Sequence, residues 1–148
     1  LSLRRQRQMC IRDRFLAVVD RAVGRITAAF GAEIARGFDP TSEDDWTRLG
    51  RVYTELMVDR VQLLVMMHGM IAGDVPEIAA AARACMGDVF RVLRTTGAPD
   101  EQITTFMAQG MLLNVMLAMR APEHLGDDDA LTPLTICAFG ESLSALTD

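Results

Sequence analysis

The sequence has no lysine. All fifteen of its basic residues are arginines, and twenty aspartates and glutamates give it a formal net charge of −5. It has three cysteines and no Cys-x-x-Cys pair, so neither a disulfide framework nor a cysteine-based metal site is predicted. Cys85 and Cys137 stand in apolar patterns where a thiol packs as a small hydrophobic group. No segment alternates apolar and polar residues for long enough to form a half-buried strand. We therefore predict an all-α fold.

The arginines are concentrated at one end, because five of the fifteen fall within residues 1–14. A basic arm indicates contact with nucleic acid or with an acidic surface. However, the run Arg-Gln-Arg-Gln-Met-Cys-Ile-Arg-Asp-Arg resembles translated sequencing-adapter read-through. We interpret residues 1–14 as an artefactual stub and residues 15–148 as the domain. That domain keeps ten arginines and nineteen carboxylates, a net charge of −9, which disfavours binding of nucleic-acid phosphates by this part alone.

Apolar residues at helical spacing and local start and stop signals predict about six helices in a single domain. The first begins in mid-pattern at Phe15 and ends near residue 36, since Gly37 and Pro40 follow. The second begins at Ser42, with Asp45 three residues later as in a capping box. Its predicted inner side chains are Trp46, Leu49, Tyr53 and Met57. The remaining helices are predicted over 59–72, from Asp74 as the cap to about Thr96, from Pro99 to about Arg120, and from Thr132 to about Leu146.

The fifth and last helices are apolar on nearly every face. Between Glu101 and Arg120 lie eighteen residues without a formal charge, but polar side chains such as Gln109 and Asn114 interrupt the run and disfavour a membrane span. A helix that is apolar all round needs cover on both sides, and a second copy of the chain would provide it as a four-helix interface. We therefore predict a homodimer with no membrane segment. The predicted interface residues are Gly110, Leu113, Leu117, Leu134, Ala138 and Phe139. The absence of a secretion signal predicts a cytoplasmic location.

Methionine is unusually frequent, and nine of the ten methionines lie between Met57 and Met119. Flexible thioether side chains fill gaps in a core or an interface, and they also line adaptable apolar binding surfaces. Both interpretations stay open for any single methionine. Their concentration on the middle helices favours a cavity for an apolar small molecule, enclosed by the second to fifth helices. The candidate ligand-binding residues are Tyr53, Met57, His68, Met86, Phe90, Met107, Met111 and Asn114.

No residue pattern indicates catalysis or metal binding. His68 has no carboxylate or thiol three or four residues away, so a helical metal site lacks ligands, and we interpret it as a core or cavity-lining histidine. The aspartates at 127–129 lack the spacing of a calcium loop and are predicted to be a solvated loop. We therefore predict a protein that is not an enzyme, with no catalytic residue, metal or cofactor.

One stretch resembles a known family. Phe15-Leu16-Ala17-Val18-Val19-Asp20-Arg21-Ala22 is similar to the start of the linker helix in TetR/AcrR-type transcriptional regulators. Asp39-Pro40 before the second helix and Gly97-Ala98-Pro99-Asp100 before the fifth also resemble that pattern. The resemblance covers residues 15–148. It departs from the family in one respect, because the helix-turn-helix that precedes the linker helix is absent.

This resemblance implies a domain that dimerises through its last two helices and encloses a pocket for a small hydrophobic effector. Residues 15–36 would be the linker helix that transmits pocket occupancy to the DNA-binding heads, and operator DNA would be contacted only through the missing amino-terminal domain. The implied function is effector sensing by a regulator, and the family favours a repressor over an activator. The alternative is a free-standing helical binding module or hydrophobe carrier with no DNA role.

Overall fold

The computed structural model describes residues 3–147, and within them the chain is all-α, without a strand. The α-helices are α1 (Leu3–Ala35), α2 (Glu43–Val58), α3 (Arg60–Ile71), α4 (Pro76–Arg94), α5 (Asp100–Ala118), α6 (Leu131–Phe139) and α7 (Ser144–Thr147). Short 3₁₀ turns at Ala121–His124 and Gly140–Leu143 flank α6. The all-α prediction is confirmed.

Local signals explain where most of these helices begin and end. Gly37 follows α1 with a φ of 107°, and Gly97 follows α4 with a φ of 79°. Both values lie in the left-handed region that glycine adopts without a steric penalty, so each glycine ends its helix. Ser42 caps α2, since its hydroxyl accepts a hydrogen bond from the Asp45 backbone N–H at 3.3 Å. Asp59 caps α3 by accepting from two backbone N–H groups.

Three boundaries differ from the predictions. The residue at the cap of α4 is Val75, without a side-chain bond, rather than Asp74; Pro76 in the first turn supplies the fixed φ that starts this helix. The last predicted helix is divided at Gly140, whose φ of 52° ends α6. Upstream of Phe15, residues 3–14 extend α1 without a break, and Arg12 forms an ion pair with Glu77 of α4 at 2.8 Å.

The helices pack around one apolar core, in which α1 contacts α2, α3 and α4, while α5 lies against α2, α3, α4 and α6. An aromatic chain joins α1, α2 and α5. Phe30 lies 5.9 Å from Tyr53 and 6.0 Å from Phe106 between ring centroids, and Trp46 lies 5.1 Å from Phe106. Phe38 contacts Trp46 edge-on at 5.0 Å. These rings hold the carboxyl-terminal part of α1 against α2 and α5, beside the cavity described below.

Two polar contacts also attach α1 to its neighbours. Gln62 of α3 is buried, and its side-chain amide donates to the carbonyl oxygen of Ala22 at 2.8 Å. At the carboxyl end of α1, the buried Glu33 accepts from the guanidinium groups of Arg48 and Arg36. The hydrogen bond from Arg48 is the main cause that lowers the pKa of Glu33 below its usual value. Glu33 is therefore held as a carboxylate between α1 and α2.

Within residues 3–147, no single helix has the length and apolar composition to cross a membrane. Only α3 and α4 taken together reach that length and apolar composition, and the axes of these two helices are bent by 116° relative to one another.

Candidate functional site: a methionine-lined cavity

A small cavity of about 40 Å³ lies where α1, α2, α3, α4 and α5 meet. Its walls are mainly apolar side chains, and six of them carry sulfur. The lining residues are Ile26, Phe30, Tyr53, Met66, Met70, Cys85, Met86, Val89, Leu93, Phe106, Met107, Gly110, Met111 and Asn114. No charged side chain is among them. The cavity therefore favours an uncharged apolar occupant, because an unpaired charge buried there would lose its hydration without compensation.

Two side chains bring oxygen or nitrogen into this lining, and they bond to each other. Asn114 Nδ2 donates to the Tyr53 hydroxyl at 2.7 Å, and that hydroxyl lies 3.1 Å from Asn114 Oδ1. Burial raises the pKa of Tyr53 to about 12, and the hydrogen bond with Asn114 acts in the opposite direction. The phenol is therefore neutral at pH 7 and can both donate and accept a hydrogen bond. This pair is the polar, hydrogen-bonding part of an otherwise apolar cavity lining.

Cys85 lies in the same wall and is buried. Burial raises the pKa of its thiol to about 11, so it is a protonated, weakly nucleophilic group at neutral pH. The expectation of a buried thiol is correct for Cys85. It is wrong for Cys137, which is exposed on α6 because the buried face of that helix passes through Thr135 and Ala138 instead.

Five of the eight candidate ligand-binding residues border the cavity, namely Tyr53, Met86, Met107, Met111 and Asn114. Ligand binding by them stays a prediction. Met57 lies elsewhere: it is fully buried and borders a separate pocket with Leu63 and Leu117. It stands four residues after Tyr53, about 6 Å further along α2, which takes it beyond the end of the cavity.

His68 and Phe90 also lie outside the cavity. His68 is exposed and borders an open apolar cleft beside the first half of α1, with its Nδ1 2.8 Å from the carbonyl oxygen of Leu64. Met66 and Met70 line the cavity from the same helix, and a residue two positions from either points to the opposite side. Phe90 is half-buried under the Arg94 guanidinium, 5.0 Å from its ring centroid.

The sequence interpretation missed nine of the lining residues: two on α1 (Ile26 and Phe30), two on α3 (Met66 and Met70), three on α4 (Cys85, Val89 and Leu93) and two on α5 (Phe106 and Gly110). Ile26 and Phe30 bring α1 into the wall, and Phe106 closes it from α5. Met66 and Met70 carried a usable signal, since they are methionines one turn apart on α3. The contribution of α1 carried none, because its apolar stripe is equally compatible with plain packing.

The predicted interface residues lie mostly inside the protomer. Leu113, Ala138 and Phe139 are buried, Leu117 packs against the core, and Gly110 faces the ring of Tyr53. Leu134 is different, because 46% of it is exposed. The outward apolar side chains are Leu112 and Val115 on α5, Met119 directly after it, and Leu134, Ile136 and Cys137 on α6. The available apolar face of α5 is therefore rotated from the predicted one.

A larger groove of about 380 Å³ lies on the outer side of Tyr53, between α2, α5 and the end of α6. Trp46, Phe106 and Leu113 supply its apolar surface, and Arg51 and Glu141 stand on it from opposite sides. The Arg51 guanidinium lies 3.2 Å from a Glu141 carboxylate oxygen, so an exposed ion pair joins the two sides.

Elsewhere the described residues hold no group of three or more histidine, cysteine or carboxylate side chains close enough to share a metal ion. The Asp127–Asp129 loop is exposed, and Asp128 accepts hydrogen bonds from the backbone N–H groups of Ala130 and Leu131 at the start of α6.

The described residues form an all-α bundle with a small, mainly apolar cavity between α1, α2, α3, α4 and α5. No family model, curated protein sequence or solved structure matches this chain.

Proposed function

We propose that this chain is the effector-sensing and dimerisation domain of a TetR/AcrR-like transcriptional regulator, a repressor released from DNA by a small hydrophobic ligand. The observation that carries the proposal is the position of the methionine-lined cavity. Ile26 and Phe30 of α1 form part of its wall, so the helix that resembles a linker helix borders the chamber directly. A change in the contents of the cavity would therefore act on α1 without an intermediate element.

The mechanism needs only a small difference in ligand affinity between two arrangements of α1. A dimer that reads two half-sites must hold its recognition helices about 34–36 Å apart. A ligand that prefers another arrangement of α1 lowers operator affinity by its differential binding to the two states. A tenfold loss of operator affinity requires a difference of about 1.4 kcal/mol.

The ligand would enlarge the cavity when it binds. A volume of about 40 Å³ is well below the roughly 300–1,000 Å³ of ordinary ligand sites, so bound ligand must displace side chains. Methionine suits such a wall, because three rotatable bonds let it repack around an occupant. We infer that the displaced side chains would push against α1, and that the resulting movement of α1 would change the position of the DNA-binding domains.

Homodimerisation through α5 and α6 is part of the proposal. The outward stripe of Leu112, Val115 and Met119 and the neighbouring Leu134 present apolar side chains that a second copy would cover. Sedimentation of the full chain tests this, and we expect a dimer at micromolar concentration that Val115→Glu dissociates. Val61→Glu is the matched control on α3, where Val61 is exposed and lies off the stripe. A wild-type monomer, or equal dissociation by both variants, would refute this interface.

The regulator assignment itself has a separate test. Genomic sequence free of adapter read-through should encode, directly upstream of the Phe15 codon, a helix-turn-helix that continues into α1. The present chain should show no sequence-specific DNA binding. An upstream sequence without such a motif would exclude the regulator and favour the free-standing binding module. The dimer and the cavity could still be real in that case, so the two parts of the proposal fail independently.

A further inference from the structure

A third space lies where the end of α2, the start of α3, the end of α5 and α7 come together, and its volume is about 240 Å³. It shares no lining residue with the methionine-lined cavity or with the outer groove. Its apolar lining consists of Met57, Val58, Leu63, Leu117, Pro122 and Leu146. Three exposed charged side chains, those of Arg60, Arg120 and Glu123, also border it. We call this space the arginine pocket.

Arg120 stands in a backbone conformation that favours glycine. It follows the end of α5 with a φ of 56° and a ψ of 32°, in the left-handed region. Among the residues that the structure describes, every other residue with a positive φ is a glycine. A side chain with a Cβ adopts this conformation at a steric cost that glycine avoids, and glycine is the usual residue just after a helix. Backbone strain of this kind is concentrated at functional sites, so the Arg120 side chain is a candidate for a binding role.

Arg60 also occupies an unfavourable position. It is exposed in the first turn of α3, where the partial positive charge of the helix end disfavours a cation. Within residues 3–147 it forms no ion pair, because Asp59 pairs with Arg25 at 3.3 Å and Glu123 pairs with Arg120. Two arginines that local physical chemistry disfavours therefore border the same pocket, in a domain that is otherwise acidic.

The contact between Arg120 and Glu123 indicates which chemical group fits the pocket. A guanidinium nitrogen of Arg120 lies 3.3 Å from a carboxylate oxygen of Glu123, and more than half of each side chain is exposed. Exposed ion pairs contribute little stability, so this carboxylate is readily replaced. Guanidinium groups bind carboxylates through parallel N–H donors. A ligand carboxylate can therefore take the place of Glu123 at Arg120.

We propose that the arginine pocket binds an amphipathic carboxylate, a molecule with one carboxylate group and one aliphatic chain. The carboxylate displaces that of Glu123 and lies at Arg120 and Arg60, while the chain lies on the apolar lining that includes Met57. The charged arginines distinguish this occupant from the uncharged one that the methionine-lined cavity favours. The inference does not depend on the proposed function, because the two spaces have no residue in common.

The first test locates octanoate on the full chain through the methionine methyl signals in NMR spectra. We expect octanoate to shift the signal of Met57 and to leave those of Met86, Met107 and Met111, which line the cavity instead. Titration of the Met57 shift gives the Kd. Octanol has the same chain without the charge, so it should bind about three- to tenfold more weakly.

Charge variants then test the two arginines. Arg60→Gln and Arg120→Gln should each raise the Kd for octanoate about three- to tenfold, because each removes a charged donor. Glu123→Gln should lower the Kd roughly two- to fivefold, because it removes the competing carboxylate. Arg91→Gln is the matched control, since Arg91 forms a similar exposed ion pair with Asp88 but lies outside the pocket. Its Kd should equal that of the wild type.

Arg120→Gly separates binding from fold stability. Glycine adopts the left-handed conformation without strain, so this variant should raise Tm by about 2–4 °C while it weakens octanoate binding. A lower Tm would mean that the arginine stabilises the turn, and it would remove the argument from strain.

Three results would overturn the proposal. They are an unshifted Met57 signal, octanol that binds as tightly as octanoate, and Arg60 and Arg120 variants that keep the wild-type Kd. Shifts of Met86, Met107 and Met111 without Met57 would place octanoate in the cavity, which would refute the arginine pocket and leave the proposed function intact. A shift of Met57 alone supports the arginine pocket whether or not the cavity is an effector site.

Discussion

Truncation of Phe30 tests whether α1 forms the cavity wall. Phe30 is almost fully buried and packs against the rings of Tyr53 and Phe106. Phe→Ala in a core lowers the free energy of unfolding by about 3–5 kcal/mol, and the loss grows with the volume that stays empty. The site already borders an unfilled cavity, so its neighbours collapse poorly into the vacated space. We therefore expect the upper half of this range for Phe30→Ala, or roughly 8–20 °C in Tm.

Urea unfolding followed by circular dichroism measures this loss. If the slope of the unfolding free energy against urea concentration stays the same, the variant differs from the wild type in stability and not in the compactness of its unfolded state. Phe38→Ala is the matched control, because Phe38 is half-buried, contacts only the outer ring of the aromatic chain at Trp46 and does not border the cavity. Its loss should be clearly smaller. A Phe30→Ala loss below about 1 kcal/mol, or one equal to the control, would refute the packing of α1 against the cavity.

The enlarged cavity gives a second measurement on the same variant. Benzene should fill the vacated space and restore stability to Phe30→Ala, by about 2.7 kcal/mol at a free concentration one hundred times its Kd. The wild type should gain less, because there benzene must first displace lining side chains to fit into a cavity of about 40 Å³. Equal stabilisation of both proteins would place the benzene outside this cavity.

Three further predictions concern how α1 is held and how helices end. Gln62→Leu leaves a carbonyl oxygen of α1 without its buried donor and should lower the free energy of unfolding by about 1–3 kcal/mol in urea titrations. The pKa of Glu33 is lowered chiefly by the hydrogen bond from Arg48, so its contribution is complete above the usual carboxyl pKa and is lost as the pH falls through the lowered value. The stability difference between wild type and Glu33→Gln should therefore shrink on acidification, and a difference independent of pH would contradict this. Gly97→Ala should lower the free energy of unfolding by about 1–2 kcal/mol, because residue 97 has a positive φ. Gly24→Ala in the exposed middle of α1 should raise it by about 0.5–1 kcal/mol, because a Cβ there meets nothing within 4 Å. Thermal melts in which both variants shift Tm in the same direction would contradict this.

Helix positions were predictable because the signals that end a helix are local. Gly37 and Gly97 adopt the left-handed conformation where the sequence predicted stops, and Ser42 caps α2 as predicted. The errors were local as well. Asp74 does not cap α4, and Gly140 divides the last predicted helix, since glycine inside an apolar run is compatible with either a break or a continuation.

The candidate site was only partly predictable. A methionine or aromatic residue on a helix can face the cavity, the core or another helix, and composition does not distinguish these positions. Tyr53 and Asn114 were identified as polar groups for a cavity, but their bond joins residues sixty-one positions apart, and no local pattern predicts it. His68 was assigned to the same cavity and lies on the opposite side of α3 from Met66.

The sequence by itself determined the helices, the acidity of residues 15–148 and the surplus of methionine, because each of these depends on neighbouring residues or on composition. Tertiary structure alone decided which faces of α5 and α6 point inward. Both faces are apolar, so periodicity gave no preference, and packing buried Leu113 and left Val115 exposed. It also decided that methionines from three helices line a small cavity beside Tyr53 and Asn114, because a cavity depends on how five helices pack together.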